Sequence, residues 1–230
     1  MNKKDHPKVT VVIPAAGAGR RMKSYGPKSL IKVGGSTLIN NQIGIIRSEL
    51  HCDDIILVCG FKAVKLMDET PENIIKIENE FYETTNVTRS IGLGLRASRS
   101  ADTVVVIYGD LVFNPEALQY LNLRNSSIIV DNLWMAPGEV GCIIDENNML
   151  TNMMYDLPDK WAQIAVFKNL ELKLLKELCW DKKNYTKFGF EIINRIIEKR
   201  GAFECVQRDD IRVIDLDTSK DIQRAKGVLT

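Results

Sequence analysis

Histidine is nearly missing from this sequence: His6 and His51 are the only two, and neither lies near a candidate nucleophile. Histidine-driven acid–base or nucleophilic catalysis is set aside on that ground. Cysteine is sparse and without pattern. The five thiols at 52, 59, 142, 179 and 205 include no C-x-x-C pair, and reduced thiols of a cytoplasmic protein are the expectation. Neither sign of charge is in excess, with 31 Lys and Arg against 30 Asp and Glu. A net charge of +1 exerts no global pull on nucleic acid or membrane, so neither partner is expected and anion binding must be local. Long apolar runs are absent too: no segment approaches a membrane span, and MNKKDHPK leads into no apolar signal core. Repeats, low-complexity tracts and linkers are likewise missing, so one domain over residues 1–230 is expected.

What the chain does have is concentrated between Val9 and Lys28, VTVVIPAAGAGRRMKSYGPK. Val9 to Pro14 reads as a buried strand that Pro14 stops, and AAGAG offers small residues whose backbone can lie close to a ligand. Arg21 and Lys28 add two cations. A loop exposing backbone N–H groups between flanking cations suits a polyanion, most simply a nucleoside triphosphate. Two familiar glycine loops do not fit. A P-loop needs Gly-Lys-Ser/Thr, whereas this chain has Gly19-Arg20-Arg21-Met22; a dinucleotide fingerprint needs glycine where Met22 stands.

Apolar strands alternate with helical patterns through the first half: strands near 8–14, 54–59, 73–77, 103–108 and 127–130, helices near 37–50, 62–68, 88–98 and 115–123. Asn114-Pro115-Glu116 reads as a helix start with the amide at the cap. In the second half, 139–154 reads as a β-hairpin turning at Glu146-Asn147-Asn148, followed by a strand at 163–167 and a helix at 169–178. A further helix at 185–200 carries the stripe Phe188, Ile192, Ile196 and is closed by Gly201. Short strands at 203–206 and 212–216 precede a last helix at 218–228. The fold class is therefore α/β, three-layered, a mostly parallel twisted sheet with helices on both faces and a small hairpin insertion in the second half.

Two acidic positions stand out. Gly109-Asp110 follows the buried strand Val104–Tyr108 and places a carboxylate at the strand's C-terminal end, the edge where ligands bind in open α/β sheets. One carboxylate holds magnesium poorly. Asp215-Leu216-Asp217-Thr218-Ser219-Lys220-Asp221 is the source of a partner; on a strand Asp215 and Asp217 point the same way, and Asp217 or Thr218 also suits a helix cap.

The run Ala15-Ala16-Gly17-Ala18-Gly19-Arg20-Arg21-Met22 followed by Pro27-Lys28 resembles the signature of the nucleotidyltransferase superfamily, over roughly the first fifth of the chain. Within it the chain is similar to the phosphocholine-type and isoprenoid-type cytidylyltransferases. The resemblance implies a Rossmann-like nucleotidyltransferase (GT-A) fold with a nucleotide-binding half at 1–130 and an acceptor-binding, closing half at 131–230. It implies magnesium on Asp110 and Asp217, with Asp215 an open question, and nucleotide contacts from Ala15 to Gly19, Arg21, Lys28, Asn86, Thr88, Ser90 and Gly109. Helix capping is the competing role for Asn86 and Thr88. Arg21, Lys28 and Asp110 would carry the chemistry: Arg21 on the β- and γ-phosphates, Lys28 on the charge growing at the α-phosphate. The expected partners are an NTP, CTP by likeness, and a small phosphorylated metabolite; a homodimer is left open.

The chain also departs from its relatives. The His-Asp-Ala-Ala-Arg-Pro block of the isoprenoid enzymes is replaced by Tyr108-Gly109-Asp110-Leu111-Val112-Phe113, which argues against that reaction. The acceptor segment sets Trp134, Tyr155 and Trp161 among Asp131, Glu139, Asp145, Asp156 and Asp159, either as a cage for a cationic head group or as core and lid. Two other functions compete: a glycosyltransferase of GT-A type using a nucleotide-sugar, which usually shows Asp-x-Asp at the metal strand, and a non-catalytic nucleotide-binding protein.

Overall fold

A computed structural model describes residues 8–19, 26–98, 101–131 and 138–229. In chain order the first half comprises β1 (Val9–Ala15), β2 (Lys32–Val33), β3 (Ser36–Thr37), α1 (Leu38–Leu50), β4 (Ile55–Cys59), α2 (Ala63–Asp68), β5 (Ile75–Glu78), α3 (Val87–Ala97), β6 (Thr103–Ile107), β7 (Leu111–Phe113), α4 (Glu116–Gln119) and β8 (Ser127–Asp131). The second half adds β9 (Val140–Ile144), β10 (Leu150–Tyr155), β11 (Asp159–Lys168), α5 (Asn169–Trp180), α6 (Gly189–Glu198), β12 (Glu204–Gln207), β13 (Val213–Asp215) and α7 (Ser219–Ala225).

β5, β4, β1 and β6 form the parallel centre of a nine-stranded sheet. β11 then runs antiparallel to β6, β8 and β9, so strands from both halves share one sheet. Alternation along each strand divides the core. Val11 and Ile13 face a layer made by Ile39, Ile43 and Ile46 of α1 with Leu66 and Leu118; Val12 faces Ile91 and Leu95 of α3, Leu175 of α5 and Ile192 of α6. These are the expected three layers.

Several boundaries moved for physical reasons. β1 runs through Pro14 to Ala15, because Pro14 stands at the strand's end, where its carbonyl accepts from Gly109 N–H at 3.1 Å. Asn114 caps no helix: its side chain accepts from Arg212 N–H at 2.9 Å and donates to the Asp210 carbonyl at 2.7 Å, pinning the approach to β13. α6 begins at Gly189 rather than 185, so Phe188 is its half-exposed N-cap and not part of the buried stripe. At its other end the left-handed residue is Arg200, with φ 70°, before Gly201. The hairpin turns as expected, with Asn148 at φ 59°.

β7 had no sequence signal, whereas β13 falls within the strand expected at 212–216. β7 and β13 make a separate two-stranded antiparallel sheet in which Asp215 faces Leu111. Asp110 immediately precedes one strand and Leu216 immediately follows the other, so this small ribbon brings the two acidic segments together. Among the described residues no helix is long and apolar enough to cross a membrane.

Candidate active site

The C-terminal ends of β1 and β6 deliver Ala15, Ala16 and Gly109 to one edge of the parallel sheet. A cavity of about 210 Å³ opens there, lined by Pro14 to Gly17, Gly19, Lys28, Ser90, Gly109 and Asp110 among others. Gly109 must be glycine, because a Cβ there would fall 2.6 Å from the Ala15 Cβ.

Asp110 is aimed by its neighbours. Gln42 of α1, fully buried, donates through Nε2 to the Tyr108 carbonyl at 2.9 Å and the Leu111 carbonyl at 2.7 Å, bracketing the loop. The Ser29 hydroxyl donates to the Gly109 carbonyl at 2.8 Å. Ser29 follows Lys28 in a single 3-10 turn (Lys28–Leu30), so the contact that fixes the acid's loop also delivers the ammonium.

Lys28 Nζ lies 3.2 Å from Asp110 Oδ2 and 2.5 Å from Asp217 Oδ1. Burial pulls the Lys28 ammonium down, but Asp110 and Asp217 more than offset it and leave its pKa above the ordinary lysine value. Burial raises the Asp110 carboxyl, Lys28 lowers it, and Asp215 and Asp217 add to the rise; the net direction is upward. Added positive charge beside Asp110 therefore stabilises its ionised form.

Asp217 is held from three sides. Leu216 N–H donates to the Asp110 carbonyl at 2.9 Å, and Asp217 N–H to the Asp215 carbonyl at 3.1 Å. Thr218 N–H donates to Asp221 Oδ2 at 2.7 Å at the start of α7. The strand ends at Asp215, which corrects the expectation that Asp215 and Asp217 share a strand face. Asp215 has partners of its own: its carboxylate takes Lys160 Nζ at 2.7 Å and Gln163 Nε2 at 3.1 Å.

Among the described residues no three acids, histidines or cysteines gather as a metal cage. The pair Asp110 and Asp217 still fits magnesium, a hard cation usually held by one or two carboxylates together with phosphate and water oxygens.

Ser90 is buried in the cavity wall and receives a hydrogen bond from Asn79 Nδ2 at 3.2 Å. Asn86 lines the cavity and also caps α3, its Oδ1 accepting from Val87 N–H at 2.8 Å. Thr88 is not brought to the cavity. It is fully buried and its hydroxyl donates to the Lys187 carbonyl at 2.7 Å, which ties α3 to the segment before α6. Ala18 does not line the cavity either. Arg21 lies outside the described residues, as does Trp134.

A second cavity of about 390 Å³ adjoins the first, and Tyr108 lines both. Its walls carry Trp161, Tyr155, Phe188 and Phe190, and its polar groups are Glu139, Lys160, Gln163, Asp215 and Asp217. Trp161 packs edge-on against Tyr108 at 5.6 Å, and Tyr155 against Phe190 at 5.2 Å. Of the aromatic and acidic residues singled out in the acceptor segment, Tyr155, Trp161 and Glu139 reach this space. Asp145 instead braces the hairpin turn, accepting from Asn147 N–H at 2.8 Å, and Asp156 accepts from Gly138 N–H at 2.7 Å.

Gln42 and Lys160 were missed. Gln42 breaks the apolar stripe Leu38, Ile39, Ile43, Ile46, so a buried amide with a dedicated task was detectable there. Lys160 gave no local signal, since its partners are Glu139, just before β9, and Asp215 of β13.

A model of the MobA-like NTP transferase domain family matches residues 11–129. The bifunctional protein GlmU of Buchnera aphidicola is 34% identical over 110 residues, covering 46% of this chain and 22% of that protein. The chain spans 22% to 34% of the length of the first three such relatives. In structure the chain is similar to CTP:phosphocholine cytidylyltransferase (LicC) of Streptococcus pneumoniae, with TM-score 0.76 at 16% identity over 97% of this chain and 100% of that one. It is also similar to the inositol-1-phosphate CTP transferase of T. maritima, with TM-score 0.73 at 15% identity over 97% and 98%. At these identities the structural likeness establishes the fold.

Proposed function

The chain belongs to the MobA-like NTP transferase domain family, and on that premise we propose that it is a magnesium-dependent nucleotidyltransferase. It couples an NTP, with CTP preferred, to a small phosphomonoester or phosphonate and releases pyrophosphate. The acceptor is phosphocholine-like, a polyol phosphate or a sugar 1-phosphate. Residues 1–130 hold the nucleotide and 131–230 receive the acceptor and close the site.

The observation that carries this reading is the meeting of Lys28, Asp110 and Asp217 at the head of the glycine-loop cavity, beside a second cavity. Asp110 and Asp217 would hold magnesium, which when bound offsets the charge of the phosphates. An ionised oxygen of the acceptor attacks the α-phosphorus, the α–β bridging P–O bond breaks, and its electrons leave with pyrophosphate. No base is needed, because the attacking oxygen is already ionised near pH 7. Repulsion between two anions is the obstacle, and Lys28, with Arg21 on the outer phosphates, lowers it. Ser90 and Asn86 face the base. The preference for CTP rests on the likeness to the two CTP-using enzymes named above.

Pyrophosphate release on mixing each NTP with a panel of phosphorylated alcohols and sugars tests the proposal. Release that requires both an NTP and a phosphorylated partner is expected; no release from any combination contradicts it.

A further inference from the structure

Lys160 sits in the wall of the second cavity, nearly fully buried, and its ammonium is 2.7 Å from both Glu139 Oε1 and Asp215 Oδ1. Burying a lysine is costly unless its partners are well placed. Here three strands cooperate: β11 supplies the cation, β9 starts beside Glu139, and β13 ends in Asp215. β11 is also distorted at this point. Its pairing with β8 shifts register between Trp161 and Ala165, and Gln163 adopts φ 58° within the strand. Such bulges re-aim side chains beside functional sites. The bulge turns Gln163 onto the same carboxylate, 3.1 Å from Asp215 Oδ2. Asp215 is thus gripped at both oxygens, while its carbonyl accepts the Asp217 N–H at 3.1 Å.

We propose that Lys160, acting with Gln163, is a positioning residue for the divalent-cation site: it anchors Asp215 so that Asp217 is presented opposite Asp110. The grip also engages both oxygens of Asp215 with Lys160 and Gln163, so the ion would be held by Asp110 and Asp217. The proposal rests on the magnesium reading of Asp110 and Asp217. It goes beyond that reading by giving the acceptor half of the sheet control over metal affinity.

Binding of Mn²⁺ in the presence of α,β-methylene CTP, followed by the loss of the free-ion electron paramagnetic resonance signal, tests it without turnover. Wild type and Asp217→Ala come first; if Asp217→Ala binds the ion as wild type does, the magnesium reading itself fails. With that reading standing, Lys160→Met and Asp215→Asn are each expected to weaken Mn²⁺ binding roughly 10-fold or more, the scale for residues behind metal ligands. Lys160→Arg is expected to restore part of the loss. Lys160→Met removes the cation between two partly buried carboxylates, so if it does not fold, Asp215→Asn, which keeps the shape, decides. Mn²⁺ affinity within about twofold of wild type in Asp215→Asn, far short of that scale, overturns the proposal. A rise in acceptor KM at unchanged Mn²⁺ affinity overturns it too, because Lys160 would then be serving the acceptor directly.

Discussion

The backbone N–H of Leu216 donates to the carbonyl of Asp110 at 2.9 Å, and this bond closes the ribbon formed by β7 and β13. It holds the residue before Asp217 against Asp110 itself, so two acids from distant parts of the chain are set side by side through their backbones. Their side chains then meet at one ammonium, that of Lys28. Groups arranged to share one cation act as a unit.

Shared action predicts non-additive kinetics. Asp110→Ala and Asp217→Ala should each lower turnover by about 10²-fold or more, and the double variant should lose little beyond the worse single one. Pyrophosphate release by the four proteins measures the cycle. Losses that multiply would show that the two acids act independently.

The role proposed for Lys28 is that of a preorganised donor for the charge that develops during transfer. Lys28→Ala should cost on the order of 10²-fold in turnover, the scale for removing such a group. Its removal also leaves Asp110 and Asp217 facing each other without their shared cation, so the variant's thermal stability should be followed alongside. Turnover within about twofold of wild type in a folded Lys28→Ala protein, far below that scale, contradicts the role.

The sheet edge that carries the cavity depends on close packing of α3 onto β1. A Cβ at Gly94 would stand 2.4 Å from Val12 Cγ1, a distance that forces the helix outward. Gly94→Ala should therefore destabilise the fold despite alanine's better helix propensity, by about 1–3 kcal/mol as for other overpacked cores. For a chain of this size that is a fall in Tm of roughly 2–4 °C per kcal/mol. An unchanged or raised Tm in calorimetry would mean that α3 shifts at little cost.

Much of this was legible in the sequence because it was local. Val9 to Ala15, Ile55–Cys59 and Thr103–Ile107 are apolar runs that specify buried strands on their own, and GAG with Pro27-Lys28 marks the loop between them. Asp110 was readable from its place after such a strand. The roles of Gln42, Ser29, Lys160 and Gln163 were harder to see, because each acts on a backbone or side chain that only the tertiary fold brings near. A strand of three residues such as β7 leaves too short a period to detect, and it is completed only by pairing with β13. Thr88 was misplaced for a related reason: a hydroxyl in the first turn of a helix faces whichever neighbour is closest, and here that is the Lys187 carbonyl.

The central claim is that one divalent ion is held between Asp110 and Asp217 in contact with a nucleoside triphosphate. A crystal of the protein grown with Mn²⁺ and α,β-methylene CTP, measured at the manganese absorption edge, addresses it directly. The account predicts an anomalous peak within coordination distance of both carboxylates and of a phosphate oxygen, with the triphosphate lying along the loop from Ala15 to Gly19. A bound nucleotide whose phosphates lie away from that loop, or a manganese peak touching neither Asp110 nor Asp217, would contradict it.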